Sequence, residues 1–468
     1  MNDIVFESAR TQRSALANKK ISAVELLHAH LKQIDHTNPQ VNAIITLDPE
    51  GALATAGHID ALIAHGVDMG VLAGLPVVHK DLTEVAGMRF TRGSPIFADA
   101  VGVTDSLIVS RIKQAGAVTL GKSNTPEFGA GSQTFNPVFG ATRNPHDLTK
   151  TAGGSSGGAA AALASRMVPI ADGSDMGGSL RNPAAFCGVV GFRPSPGVVP
   201  VTDSWSPLAV DGPMARSVED VALLLSALAG PATNATLTAP IDTQALVAFD
   251  PISLKGKRIA WAPTWGGLAV EDALATVIAA QRQRFVDLGA VVVDATPDFS
   301  GVDEAFQSLR ALGFETGLGE LLDSHPDQLK DTVRWNINAG RALSGSDIAR
   351  AQRLQSAVFA RMKQFMSGFD MVVGPVTQVL PFDVTKPYVT SINGIEQQTY
   401  VDWMRSCYYI TMTLHPALSL PCGFASNGLP VGLQLVGRYR DDVQLLRMSA
   451  AVESTIDMNQ FVPTLARR

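Results

Sequence analysis

The stretch from Thr151 to Arg193, TAGGSSGGAAAALASRMVPIADGSDMGGSLRNPAAFCGVVGFR, constrains this chain more than any other. It carries two glycine-framed serines, in Gly153-Gly154-Ser155-Ser156-Gly157-Gly158 and in Asp175-Met176-Gly177-Gly178-Ser179, separated by a helix-like alanine run and a short apolar run. Glycines around a serine suit a backbone that turns sharply while presenting a hydroxyl to a small, crowded site. Two such serines in one segment point to a paired-hydroxyl active site.

The surroundings fit a soluble globular protein. With 468 residues, 46% of them hydrophobic, the chain is long enough to bury a large core. A formal charge of −6, from 37 basic and 43 acidic residues, lacks the basic surplus of a nucleic-acid footprint. Cys187, Cys407 and Cys422 lie in apolar or small-residue contexts and read as reduced, buried thiols of a cytoplasmic protein. None has metal-ligand spacing, and the nine histidines show no HExxH. The N-terminal MNDIVFESARTQRSALANKK lacks the form of a secretory signal, and no apolar run approaches the roughly 18 to 20 residues of a membrane span.

Along the chain, Ser22-Ala-Val-Glu25 is a capping box opening a helix of about residues 22 to 36. A second helix is expected over Pro49 to His65. GVLAGLPVVHKDL then reads as an apolar strand ending on His79-Lys80-Asp81. A lysine ending a buried-looking run is a candidate for a desolvated amine, although lysine more often snorkels to the surface. Asp105 is placed to cap a helix that stops at Gly116 before the strand AVTLGK, a helix-to-strand unit of an α/β layer. SNTPEFGAGSQTFNPVFGATRNPHD reads as a long irregular loop.

Beyond Arg193, Ser217 caps the helix VALLLSALAG, KRIAWAP and AVVVDA read as strands around a helix from Val270 to Leu288, and MVVGPVT is again strand-like. Residues 303 to 368 are helical in pattern and carry most of the central charge, Arg310 included, as expected of a helical insert or cap over a site. Asn427-Gly428 marks a hairpin, and Asp441 opens a closing helix. Without a repeat or a long polar linker, one large domain over 1 to 468 is preferred to two or three.

Acyl transfer from an amide needs a nucleophile, a base and donors for the oxyanion. The amides near Gly177-Gly178-Ser179 could turn inward as a nest, and Asn182-Pro183 begins a helix just beyond. A phosphate-binding loop fits poorly, for there is no GxxxxGK[ST] and no GxGxxG after a strand. A nucleophile elbow fits better, since Gly154-Ser155-Ser156-Gly157-Gly158 satisfies G-x-S-x-G with Ser156 at its centre, and His325 or His415 is available as base. Ordinary turn chemistry accounts for most isolated Ser-Gly pairs. It does not account for two framed serines, a buried-looking lysine and an alanine-rich helix together.

GGSSGGAAAALAS followed by GSDMGGSLRNPAAFCGVVGFRPSPG resembles the core of the amidase signature family, and weaker similarity runs through AVELLHAHLKQIDHTNPQVNA, GLPVVHKDL, LGKSNTPEFG, GPMARSVEDVALLL and HPALSLPCGF with NGLPVGLQLVG. The resemblance implies an α/β fold with a large mixed β-sheet core flanked by helices on both faces and a helical insert near the site. It makes Ser179 the nucleophile, Ser155 a bridging serine on a cis peptide, and Lys80 the general base. The separations of 75 and 24 residues agree with the family's arrangement. It assigns the oxyanion hole to the amides of Met176, Gly177, Gly178 and Ser179, with Ser156, Asp175 and Arg181 in support. For Lys80 to act as a base, its amine must be neutral, so its reference pKa of about 10.4 must fall by several units.

The family hydrolyses simple, aryl and fatty amides, carbamates and nylon-type oligomers, and includes the glutaminase component of tRNA-dependent amidotransferases. Where that component would precede an Asp-Gln-Ile-Gly-Pro-like stretch, this chain has VTDSWSPLAVDGPMAR, which favours a free-standing hydrolase over one that needs partner chains. The implied substrate is a small amide or carbamate, with no metal or other cofactor, no nucleic acid and no membrane, in a monomer or homodimer. The substrate pocket is expected from Glu127, Phe128, Gly131, Ser132, Gln133, Met176, the helical insert and residues 375 to 400. Phe135, Trp335 and Tyr400 lean it towards an uncharged or aryl group, unless they simply pack the core.

Overall fold

A computed structural model of the chain describes residues 4–202 and 204–467. Residues 1–3, from the segment read against a secretory signal, and Asp203, within VTDSWSPLAVDGPMAR, lie outside the described residues.

Eleven strands form one sheet. They are β1 (Ile44–Leu47), β2 (Pro76–Lys80), β3 (Val118–Ser123), β4 (Ile170–Asp175), β5 (Val190–Arg193), β6 (Val210–Ala215), β7 (Arg258–Trp261), β8 (Val291–Asp294), β9 (Met371–Pro375), β10 (Ala417–Phe424) and β11 (Pro430–Val436). Their spatial order is β1-β3-β2-β4-β6-β5-β10-β11-β9-β7-β8. Strand β2 runs parallel between β3 and β4, and β7 parallel between β9 and β8, while the other neighbours are antiparallel. Every residue of β2, β9 and β11 is buried. Successive strand side chains point to opposite faces, so unbroken burial means that helices cover both faces.

Local signals account for much of this. Ser22 Oγ accepts from the Glu25 amide while the Glu25 carboxylate accepts from the Ser22 amide, closing the capping box. That helix spans Ala23–Val41, beyond the expected residue 36, because buried Thr37 and Val41 prolong its apolar face. It stops at Asn42, in the left-handed region with φ 55. Ser217 caps Val218–Leu228 as expected, and Gly428, with φ +78, turns the hairpin of β10 and β11. Asp105 does not cap Leu107–Gln114. Ser106 takes that position, and the Asp105 carboxylate accepts instead from the Ala86 amide at 2.9 Å and from Lys113 Nζ at 2.7 Å. The helix expected from Val270 to Leu288 is two, Asp272–Ala280 and Arg282–Asp287, meeting at Gln281.

Three helices, Val302–Ser324, Asp331–Arg341 and Gly345–Met366, occupy the stretch between β8 and β9. The alanine run forms the helix Gly157–Ala164, every residue of which is buried. Its small side chains let it lie close to the strands: a Cβ on Gly158 would come within 2.3 Å of the Asn124 amide nitrogen.

Candidate active site

Parallel pairing of β2 with β4 sets the carboxyl ends of both strands side by side, the edge at which α/β sheets commonly collect their sites. Lys80 ends β2, and Ser174 and Asp175 end β4. The Asp172 carboxylate binds the Lys80 amide at 2.9 Å and the His79 ring through Nδ1, while His79 Nε2 meets Thr119 Oγ1 at 3.1 Å. The backbone that carries Lys80 is thus fixed from the neighbouring strand.

The Lys80 amine is fully buried, 2.7 Å from Ser155 Oγ and 3.0 Å from Ser174 Oγ. Burial lowers its pKa to about 7, against the opposing pull of Asp211, Asp175 and Asp172. The Gly154–Ser155 peptide is cis. Ser156 follows as the position before the buried helix; its Oγ lies 3.4 Å from both the amide and the carbonyl oxygen of Ser174, and its amide donates to the Ser179 carbonyl at 3.2 Å. Ser156 therefore ties the two serine segments together.

Asp175 organises the second segment. Its Oδ1 accepts from the Gly178 amide at 3.0 Å and its Oδ2 from the Leu180 amide at 3.1 Å. Arg181 grips the same carboxylate through Nε at 3.0 Å and Nη2 at 2.8 Å, and extends to the Cys407 carbonyl, Gln434 Oε1 and Thr411 Oγ1. Arg193 binds the Asp175 carbonyl as well. Burial works against ionising Asp175, but the charges of Arg181 and Arg193 outweigh it and hold the carboxyl below its usual range. Gly178, at φ +112, makes the turn, where a Cβ would meet that of Cys407 at 2.5 Å.

Of the four amides assigned to an oxyanion, that of Gly178 is thus committed to Asp175. No hydrogen bond among the described residues takes up those of Met176, Gly177 or Ser179. Asp175→Asn is expected to destabilise the fold by about 3 to 5 kcal/mol, because two buried guanidiniums lose their counter-charge. Chemical denaturation at neutral pH measures this, and unchanged stability would show that the carboxylate is not what balances them.

Ser155, Ser174 and Ser179 line one cavity of about 180 Å³, with Leu82, Phe128, Gly131, Ser132, Met176, Arg310, Phe314 and Met404 among its walls. No hydrogen bond among the described residues joins the Ser155 and Ser179 hydroxyls. A larger cavity of about 560 Å³ shares Leu82, Phe128, Ser174, Met176 and Phe314 with it, and adds Arg92, Glu84 and Asp211.

The other expected pocket members stand apart from these walls. Gln133 donates to the Val384 carbonyl at 2.7 Å. Glu127 accepts from Ser94 Oγ and the Lys330 amide, and Phe135 lies beneath Lys330 Nζ. Trp335 is 44% exposed and packs edge-on against Tyr400. His325 caps a helix end, and His415 is buried against Phe359 and Tyr439; neither lines a cavity with the serines. Sequence reasoning did not single out Ser174, Phe314 or Met404, and met Arg310 only as one charge among many. The serine that opens Ser174-Asp175 at the end of an apolar run was the one signal available for the first.

The Amidase family profile matches residues 25–446. An acylamidase of Rhodococcus erythropolis is 34% identical over 457 residues, covering 96% of this chain and 95% of that protein. The A component of the glutamyl-tRNA(Gln) amidotransferase of Azoarcus sp. (strain BH72) is 36% identical over 491 residues, covering 97% of this chain and 99% of that protein. A solved bacterial aryl acylamidase of the amidase signature family superposes with a TM-score of 0.92 at 28% identity, covering 99% of each chain. With the mixed sheet and the serine-lined cavity beside buried Lys80, these likenesses make the chain a member of the amidase signature family and a hydrolase of amides.

Proposed function

We propose that the chain is a free-standing amidase that works through a Ser179 acyl-enzyme, with Ser155 as proton relay and Lys80 as general base. The observation that carries this reading is the fully buried Lys80 amine 2.7 Å from the Oγ of Ser155, a serine that lines one cavity together with Ser179. Ser179 Oγ attacks the carbonyl carbon while its proton passes to Ser155 Oγ and the Ser155 proton passes to neutral Lys80. Rotation of the Ser179 side chain towards Ser155 closes this relay when substrate is bound.

The amides of Met176, Gly177 and Ser179 receive the developing oxyanion, and Gly178 and Asp175 hold the turn that presents them. As the C–N bond breaks, the proton on Lys80 returns through Ser155 to the leaving nitrogen. Water then enters, gives its proton to the same relay and releases the acid. Ser156, Asp175 and Arg181 keep the two segments in place, and the helices over residues 303 to 368 cap the site. The relay uses protein groups alone, so activity in a chelator should be undiminished.

The similarity to an amidotransferase component supports a second reading, in which the chain is the glutaminase of a multi-chain enzyme and needs partner chains. The two separate in one experiment. The purified chain, sized by gel filtration as monomer or homodimer, is assayed alone on aryl amides, carbamates and ω-amino oligoamides. Turnover of any of these supports the free-standing enzyme, whereas glutamine hydrolysis that appears only with partner chains overturns it.

A further inference from the structure

Arg310 is buried, unlike the ion-paired arginines of the helical stretch. Arg334, Arg341 and Arg350 pair with Asp331, Glu315 or Asp323, and Glu304 at the surface. Arg310 is 6% exposed and lines the Ser179 cavity. Its Nη1 donates to Asn336 Oδ1, a neutral partner, and its carbon Cζ sits 4.5 Å from the Phe314 ring centre and 5.3 Å from that of Tyr400. Asn336 is itself held, donating to the Tyr400 hydroxyl at 2.5 Å and the Thr332 carbonyl at 2.6 Å. Among the described residues no carboxylate lies within ion-pair distance of the Arg310 guanidinium.

A buried cation without a counter-charge is unfavourable, and with Cζ over two rings and Nη1 on a neutral partner the N–H edge of Arg310 has no carboxylate among the described residues to bind. That edge matches the two oxygens of a carboxylate. We propose that Arg310 is a specificity residue, and that the substrate carries, besides its scissile amide, an anionic oxygen group of the carboxylate class that binds Arg310 in the Ser179 cavity. Substrate then supplies the missing counter-charge, and Asn336 and Tyr400 hold the guanidinium ready for it. This departs from the uncharged group that the aromatic residues alone suggested. It rests on the amide-hydrolase reading and narrows it.

The test compares matched substrates. One pair is the para-nitroanilide of glutaric half-acid and of its methyl ester, with the charge on the acyl side. The other is the acetamide of para-aminobenzoate and of para-toluidine, with the charge on the leaving side. In at least one pair the wild-type enzyme should favour the charged member in kcat/KM by about 10-fold or more, and Arg310→Gln should lose about 30-fold or more on that member, mainly through KM, with under about 3-fold change on its neutral partner. Equal losses on charged and neutral members, or preference for the neutral member in both pairs, would make Arg310 a brace for Asn336 and Tyr400 and overturn the proposal.

Should Arg310→Gln fail to fold by circular dichroism, wild-type turnover of the neutral anilide provides the same decision. Glutarate should inhibit it competitively and dimethyl glutarate should not; equal inhibition by both, or none by glutarate, overturns the proposal. Absence of turnover on every amide would instead overturn the hydrolase reading, and this inference with it.

Discussion

Ser179→Ala should abolish amide turnover, lowering kcat by about 10⁴-fold or more while leaving the fold intact. The expectation follows from what the substitution removes. Asp175 holds the turn through the Gly178 and Leu180 amides, and Arg181 holds Asp175, none of which uses the Ser179 hydroxyl. On the proposed mechanism, binding and the amides assigned to the oxyanion survive, but no atom remains to accept the acyl group. Mass spectrometry of the wild type after a slow-turnover ester or a fluorophosphonate should find the adduct on Ser179, and the variant should show none.

Ser156→Ala makes the contrast, with an expected loss of about 10- to 100-fold, because its hydroxyl makes only long contacts to the Ser174 backbone. Near-normal turnover by Ser179→Ala together with inactivity of Ser156→Ala would reverse the two roles and revive the elbow.

The residues of the proposed relay were legible because their signals are local. Glycine frames mark both serines within one short stretch, and Lys80 stands out as a cation closing a run that pairing with two parallel strands then buries completely. The caps at Ser22 and Ser217 and the turn at Gly428 are local as well. What was not legible depends on who sits opposite. Asp105 has the residue type of a cap, but Lys113 and the Ala86 amide compete for its carboxylate. Trp335 has the type of a pocket wall, yet its helix turns it outward against Tyr400 and solvent. Arg310 lies among exposed arginines in sequence, and only the packing of Phe314, Asn336 and Tyr400 around it sets it apart. The strand order, with β3 inserted between β1 and β2, likewise follows from long-range pairing that no short segment encodes.

Lys80→Met should be as damaging as loss of the nucleophile, and its pH behaviour tells more. An amine at its ordinary pKa of about 10.4 would be neutral in roughly one molecule in 2,500 at pH 7. Burial brings Lys80 to about 7, so about half of the molecules hold a neutral amine, as the proposed base requires, at that pH. Loss of a proton creates the base, so kcat/KM should rise with pH, pass its midpoint near 7 and level off above. Lys80→Met should lose several orders of magnitude and the pH-dependent limb together. A limb that persists in the variant would assign the titration to another group.

Stability moves in the same direction for the same reason. Between about 7 and the unfolded value near 10.5, the folded chain binds fewer protons at Lys80 than the unfolded chain, so this residue's contribution to stability grows with rising pH across that window. Below about 7 both states carry the charge, and the full burial penalty stands. Urea unfolding at a series of pH values should show this slope in the wild type and a shallower one in Lys80→Met. The base that the proposed relay needs is thus made by the same burial that weakens the acid-side fold, and Asp172, Asp175 and Asp211 nearby limit how far its pKa can fall.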